Sequence, residues 1–275
     1  MTGKVLGPAQ TLLHGLISLA VPILLPDDCR LCGLPLGNAS RIPVCPECLA
    51  SAAQPMEAEY LCTRCRSPFL NRESLSADGV CPACEAEPQG FDSAWSYGAY
   101  DGKLRRLIHV YKYERVDTLA LPLAKLLLDA LPREEEFDCI VPLPLHWRKQ
   151  WDRGFNQAEL LAREVSRRTG IPYCDLLRRT KSSKAQAGLT FAARRENVKG
   201  NFALRGNLKV RDQHVLLIDD VLTTGATAAA AARLLKRAGG ARRISILTLA
   251  RADRRYAWHP SSETKPARAS GTGGF

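Results

Sequence analysis

The residues most able to do chemistry lie in Val215 to Thr227, VLLIDDVLTTGAT. An apolar run meets two adjacent acids, then a turn of threonines and glycine, then an alanine-rich segment. The apolar run reads as a buried strand, His214 to Asp219, ending on the acids. The alanine-rich stretch reads as a helix, Gly225 to Ala238, closed by Gly239-Gly240. Ligands of an open parallel sheet collect at the carboxyl ends of its strands. Thr223, Thr224, Gly225, Ala226 and Thr227 fall at such an end and at the start of a helix. Their N–H groups and hydroxyls can cradle a phosphate, aided by the helix dipole. Gly225 permits a close backbone approach. Asp219 and Asp220 repel phosphate; they suit sugar hydroxyls, directly or through Mg²⁺.

A second constellation precedes it. Eight of the ten cysteines form four CxxC pairs: Cys29/Cys32, Cys45/Cys48, Cys62/Cys65 and Cys81/Cys84. Two such pairs supply the four thiolates of one closed zinc site, so the four predict two structural zinc ions. Pairing in sequence order is preferred; an interleaved arrangement stays open, as does one metal with a degraded second site. Four thiolates leave no open coordination position, so neither site is catalytic. A disulfide framework is the rival reading. It fits poorly beside Thr11 to Leu25, TLLHGLISLAVPILL, where Pro26-Asp27-Asp28 stands in place of a small-residue cleavage site. That stretch reads as an N-terminal helix docking on the protein. It is also shorter than the roughly 18 apolar residues a membrane span needs. The expected location is cytoplasmic. Cys139 and Cys174 lie in strand-like runs and read as core residues.

The elements that must position these groups alternate between strand and helix from about residue 91. Ser93 to Tyr100, Asp138 to Leu143 and Ile244 to Ala250 read as further strands. Lys103 to Tyr113, Leu119 to Leu131 and Asn156 to Thr169 read as helices, the last closed by Gly170 and Pro172. This order predicts an α/β fold: a parallel sheet with flanking crossover helices, plus a small cysteine-rich N-terminal module. The expected organisation is an N-terminal helix over 1–26, a double zinc ribbon over 27–90, the α/β domain over 91–258, and a disordered tail over 259–275.

Charge is uneven along the 275 residues, which carry a net +11. Residues 1–90 hold 6 basic and 9 acidic side chains, and the remainder 33 and 19. The excess cations favour a phosphate-rich partner, either a polyphosphate or nucleic acid. Arg178 to Arg211 carries 10 basic residues and one acid, Glu196, and reads as a mobile loop able to close over a substrate. Gln186, Arg194, Arg195 and Asn197 are its polar candidates. Arg148, Lys149 and Arg153, in a basic loop from His146 to Gly154, and Lys112, at a helix end, are further candidates for facing phosphate.

The string VLLIDDVLTTGAT closely resembles the phosphoribosyl-pyrophosphate (PRPP) motif of type I phosphoribosyltransferases. VPLP (Val141 to Pro144), RGFNQ (Arg153 to Gln157), LRRLIHVYKY ending near Lys112, RRTKSSKAQAGLTFAARRENVKGNF and the cysteine-rich start extend the likeness to the ComF family over about residues 20–252. VPLP stands where that family often shows VPVP. The resemblance implies the type I fold and that Asp219 and Asp220, its catalytic acids, bind the ribose 2- and 3-hydroxyls. It also implies that Thr223 to Thr227 bind the 5-phosphate, and that Mg²⁺ accompanies PRPP. Arg153 and Lys112 are the basic residues assigned to PRPP. Phosphoribosyl transfer to an unassigned acceptor, in nucleotide metabolism, is one expectation. A role in DNA uptake during natural transformation, with single-stranded DNA and DNA-uptake proteins as partners and PRPP as a regulator, is another. A third is that the zinc module merely supports the α/β domain or binds a protein. No glutaminase half is expected, since the first cysteine, Cys29, already sits in a metal-type pair.

Overall fold

The structure is a computed structural model, described here for residues 28–36, 41–56, 58–86, 90–145, 147–180, 201–206 and 209–252. The N-terminal helix and C-terminal tail expected from the sequence lie outside these residues, as do Gln186, Arg194, Arg195 and Asn197 and the side chains of Arg148 and Lys149.

A four-stranded parallel sheet forms the centre. Its strands are β3 (Ser93–Ala99), β4 (Cys139–Pro142), β7 (His214–Leu222) and β8 (Arg243–Arg251), in the order β3-β8-β7-β4. Strands covered on both faces read as unbroken apolar runs, and β4 is buried at all four positions. Alternate side chains then feed opposite layers. Ile140, Leu216, Ile218, Leu247 and Leu249 face one core, and Cys139, Val141, Val215, Leu217 and Ile246 face the other. The first layer is closed by α3 (Gly102–Tyr113), α4 (Ala120–Ala130) and α6 (Gln157–Thr169). The second is closed by α7 (Ala226–Arg237), whose small side chains Ala228, Ala229, Ala231 and Ala232 allow close packing. Helix α6 stops where Gly170, at φ 77°, donates its N–H to Ser166 O at 2.8 Å, a left-handed cap.

Three readings need correction. The strand expected to end on the acids continues to Leu222, because Asp219, Val221 and Leu222 stay in register with Thr248, Ala250 and Arg251 of β8. The basic loop from His146 to Gly154 contains a helix, α5 (Trp147–Arg153), with no glycine or proline inside it. It ends at Gly154, at φ 83°. The basic stretch from Arg178 is anchored at both ends by an antiparallel pair, β5 (Leu177–Arg179) and β6 (Phe202–Leu204). Of the two isolated cysteines, Cys139 is buried, while Cys174 is only half-buried.

The cysteine-rich region supplies the short helices α1 (Pro46–Ala52) and α2 (Pro82–Ala86) and the antiparallel pair β1 (Tyr60–Leu61) and β2 (Pro68–Phe69). Its two halves attach differently. Cys29, Leu31, Val44, Cys48 and Ala52 belong to the same apolar layer as α3 and α4. Cys62, Cys65, Phe69, Cys81 and Cys84 form a small core of their own. Arg251 at the end of β8 donates to Cys65 O at 2.9 Å and ties this second half to the sheet.

Candidate functional site

Beyond Leu222 the chain turns through exposed Thr223 and half-buried Thr224 to buried Gly225. Gly225 sits at φ 75°, a left-handed conformation that glycine adopts without steric cost. Its carbonyl accepts the N–H of Ala229 at 2.7 Å, which starts α7 at once. No side chain caps this helix; the nearest substitute is Thr224 Oγ1, 3.4 Å from the N–H of Ala226. The first-turn amides, with half-buried Thr227, thus offer donors suited to an anion.

The acids lie one turn of chain earlier, on β7 itself. The N–H of Asp220 donates to Asp219 Oδ1 at 2.9 Å. Asp220 Oδ1 lies 2.7 Å from Lys112 Nζ, with both side chains only about a tenth exposed (12% and 11%). Helix α3 therefore ends with its lysine directed at the acids. Burial pulls Lys112 towards neutrality, but Asp220 and then Asp219 outweigh it and hold the ammonium above its usual range. Asp219 is pushed up to about 7, first by burial and then by the charge of Asp220, against the pull of Lys112. Two carboxylates share one cation, and one of them is poised near neutrality. Such a pair can accept from sugar hydroxyls or face a divalent cation.

Arg153 takes another position. Its guanidinium covers the ring of Tyr113 at 4.8 Å, with Nη2 3.2 Å from Tyr113 Oη and Nη1 3.2 Å from Gln157 Oε1. Sequence reasoning quoted Asn156 and Gln157 but gave them no role. Both are buried where β4 ends: Asn156 Nδ2 donates to Leu143 O at 3.3 Å, and Tyr111 Oη donates to Gln157 O at 3.0 Å. Asn156 Oδ1 and Gln157 Nε2 have no hydrogen-bond partner among the described residues. A buried polar atom left so costs about 1–3 kcal/mol, and such costs need a reason such as a ligand. Arg179 was also missed. It stands on β5 close enough for its charge to lower Asp219, while its own pKa is lowered by burial. The available signal was its place just after apolar Leu176-Leu177, at the start of the basic stretch.

Both cysteine groups assemble in sequence order. Cys29, Cys32, Cys45 and Cys48 bring their sulfurs within 4.8 Å of one another, and so do Cys62, Cys65, Cys81 and Cys84. Cys32 and Cys45 Sγ are 3.8 Å apart, and Cys65 and Cys81 Sγ 3.7 Å. Four sulfurs at about 2.3 Å from a central tetrahedral ion stand about 3.8 Å apart, so both cages fit a zinc-sized ion. Backbone N–H groups of Cys45 and Cys81 point at Cys29 and Cys62 Sγ, each at 3.3 Å, as thiolate ligands require. Each cluster can hold a metal ion.

Residues 153–265 match the family described as phosphoribosyl transferase domain. The chain is 32% identical to the DNA utilization protein YhgH of Salmonella typhi over 223 residues, covering 78% of this chain and 93% of that one. It is 33% identical to Competence protein F of Haemophilus influenzae over 180 residues, covering 62% and 78%. Competence protein ComFC of Bacillus subtilis is 35% identical over 113 residues, covering 41% and 44%.

Proposed function

The chain belongs to the ComF family of type I phosphoribosyltransferase-fold proteins, and on that premise we propose that it binds PRPP with Mg²⁺ at the carboxyl end of β7 and serves DNA uptake or utilization. The observation that carries this reading is the acid pair Asp219/Asp220 running into the uncapped start of α7. The amides and hydroxyls from Thr223 to Thr227 hold the 5-phosphate. Asp219 and Asp220 take the ribose hydroxyls, and with the pyrophosphate they would hold Mg²⁺. That ion, when bound, offsets charge on the leaving pyrophosphate. Binding draws Asp220 away from Lys112, which leaves the ammonium free to turn towards the phosphates. Gln157 Nε2, a donor without a partner among the described residues, and Arg153 beside it can donate to the remaining phosphate oxygens, while Asn156 Oδ1 can only accept, as from a ligand hydroxyl.

The two cysteine cages are read as structural zinc sites, and the protein as resident in the cytoplasm, where thiols remain reduced. No helix among the described residues is long and apolar enough to cross a membrane. The relatives named for DNA utilization and competence support DNA as a second partner, taken in this proposal as single-stranded, with PRPP binding as the regulatory or catalytic event.

Calorimetric titration with PRPP and Mg²⁺ tests the site. Wild type binds, and Asp219→Ala/Asp220→Ala does not. A double variant that titrates like wild type overturns the reading. Metal analysis is expected to give two zinc per chain; one or none removes the second half of the proposal.

A further inference from the structure

Helix α3 carries the site lysine at its end and a different chemistry along its outer face. Between Gly102 and Tyr113 it holds Lys103, Arg105, Arg106, His109 and Lys112 and no acid. Arg105, His109 and Tyr113 follow one another at four-residue steps and are all exposed. Stacking contacts extend this row at both ends. Arg105 lies over Tyr100 at 5.9 Å, His109 meets Tyr113 at 4.5 Å between ring centroids, and Arg153 covers Tyr113 at 4.8 Å. Two residues before Arg153 on α5, Trp151 is 82% exposed, and Arg115 is tied to the same helix by two hydrogen bonds to Asp152 O.

An indole exposed to that degree has no role in the core. A helix face that alternates rings with cations and lacks acids does not stabilise itself through ion pairs. It is complementary to a polyanion that also offers flat apolar faces. Single-stranded DNA has this chemistry, whereas a duplex hides its base faces within the stack. From Arg105 to Tyr113 the row runs about 12 Å, room for roughly two to four nucleotides.

We propose that the row Tyr100, Arg105, His109, Tyr113 and Arg153, with the exposed Trp151 of the neighbouring α5, is a stacking platform for single-stranded DNA. The strand is laid along the back of the helix whose inner face presents Lys112 to Asp220. The inference rests on the reading of this chain as a DNA-handling protein and gives that reading an address. Phosphates pair with Arg105 and Arg115. Bases stack on Trp151, His109 and Tyr113.

The test is fluorescence anisotropy of a labelled 15-residue oligodeoxythymidylate with the full chain, over a salt series. Trp151→Ala is expected to weaken binding about tenfold, and Trp151→Phe to retain it while losing the quenching of tryptophan emission. Arg105→Ala is expected to flatten the slope of log affinity against log salt by about 0.7. Both positions, Trp151 and Arg105, are exposed, and unchanged thermal melting verifies the fold of the three variants. If wild type binds and the variants bind equally well, the platform is wrong and the DNA reading stands. If wild type itself fails to bind at low salt, both fall. Equal affinity for oligouridylate, for duplex DNA or for polyglutamate also overturns the assignment.

Discussion

Strand β7 has a polar cluster at each end, and the two are built to opposite plans. At its amino end His214 Nε2 lies 2.7 Å from Ser245 Oγ, which in turn lies 2.9 Å from Ser93 Oγ. Glu135 closes the group, 3.6 Å from His214 Nε2 and 2.9 Å from Arg243, while Asp138 accepts the His214 N–H at 2.7 Å. Every one of these groups has a partner, and His214 is held neutral, first by burial and then by Arg243. At the carboxyl end, two acids share one lysine, and Asp219 is driven up to about 7. Residue types alone would flag the Ser-His-Glu end as the catalytic one. Its serines and histidine are sealed in the core, and serine and acid crowd the same ring nitrogen, so it reads as a clasp. Uncompensated electrostatics beside an open helix start mark the working end.

The contrast breaks first at Lys112. Lys112→Met leaves buried Asp220 and half-buried Asp219 without their cation, and removal of one partner of a buried pair costs about 3–5 kcal/mol. The loss should be greatest at pH 8 and smaller at pH 5, where one acid takes up a proton. Denaturant unfolding at both pH values checks this; equal loss at both would mean that Lys112 is not the countercharge. The amino end predicts another pattern. His214→Ala removes ring packing on Phe137 and the bond to Ser245, and should cost about 2–3 kcal/mol. PRPP affinity should not move beyond what lost folding explains. A selective loss of PRPP binding in this variant would join the two ends and end the distinction.

How much of this was legible depended on whether the information was local. The apolar run at Val215, the amphipathic spacing of Leu104, Leu107, Ile108 and Tyr111, and the glycine stop at Gly170 are read within a few residues, and these elements stand where the periodicity put them. The continuation of β7 through Asp219 and Asp220 was not legible, because it depends on pairing with β8, some thirty residues on. Nor was Lys112's approach to Asp220, which joins residues 108 positions apart. The strands β5 and β6 are three residues each and pair across the segment between them, too short for a period to show. CxxC spacing named the sulfur ligands, but only packing separates the first cage, which shares the main core, from the second, which has its own.

A smaller effect at the carboxyl end has an unusual sign. Asp219 keeps its proton in the folded protein up to about pH 7, whereas the unfolded chain releases it in the ordinary carboxylate range. Stability is therefore lost as pH rises towards 7 and not regained above it. Asp219→Asn, always neutral, escapes that loss. It should melt roughly 2–4 °C above wild type at pH 8 and near wild type at pH 4, while losing PRPP affinity. A melting point below wild type at pH 8 would show that the carboxylate is compensated after all.

The smallest effect tests the amino end by the reverse titration. His214 has its folded pKa depressed below the ordinary histidine value, first by burial and then by Arg243, with Glu135 opposing. Its contribution is whole above the unfolded pKa, near 6.5, and is lost as pH falls through the lower folded value. His214→Gln keeps an amide for Ser245 but cannot take up a proton. Between pH 7 and pH 5 it should lose roughly 1–2 °C less in melting temperature than wild type does. Calorimetry at the two pH values on both proteins separates this from general acid instability, which moves both alike. Identical losses would place the acid sensitivity elsewhere, and the clasp would then differ from the working end in its access to ligand and not in its electrostatics.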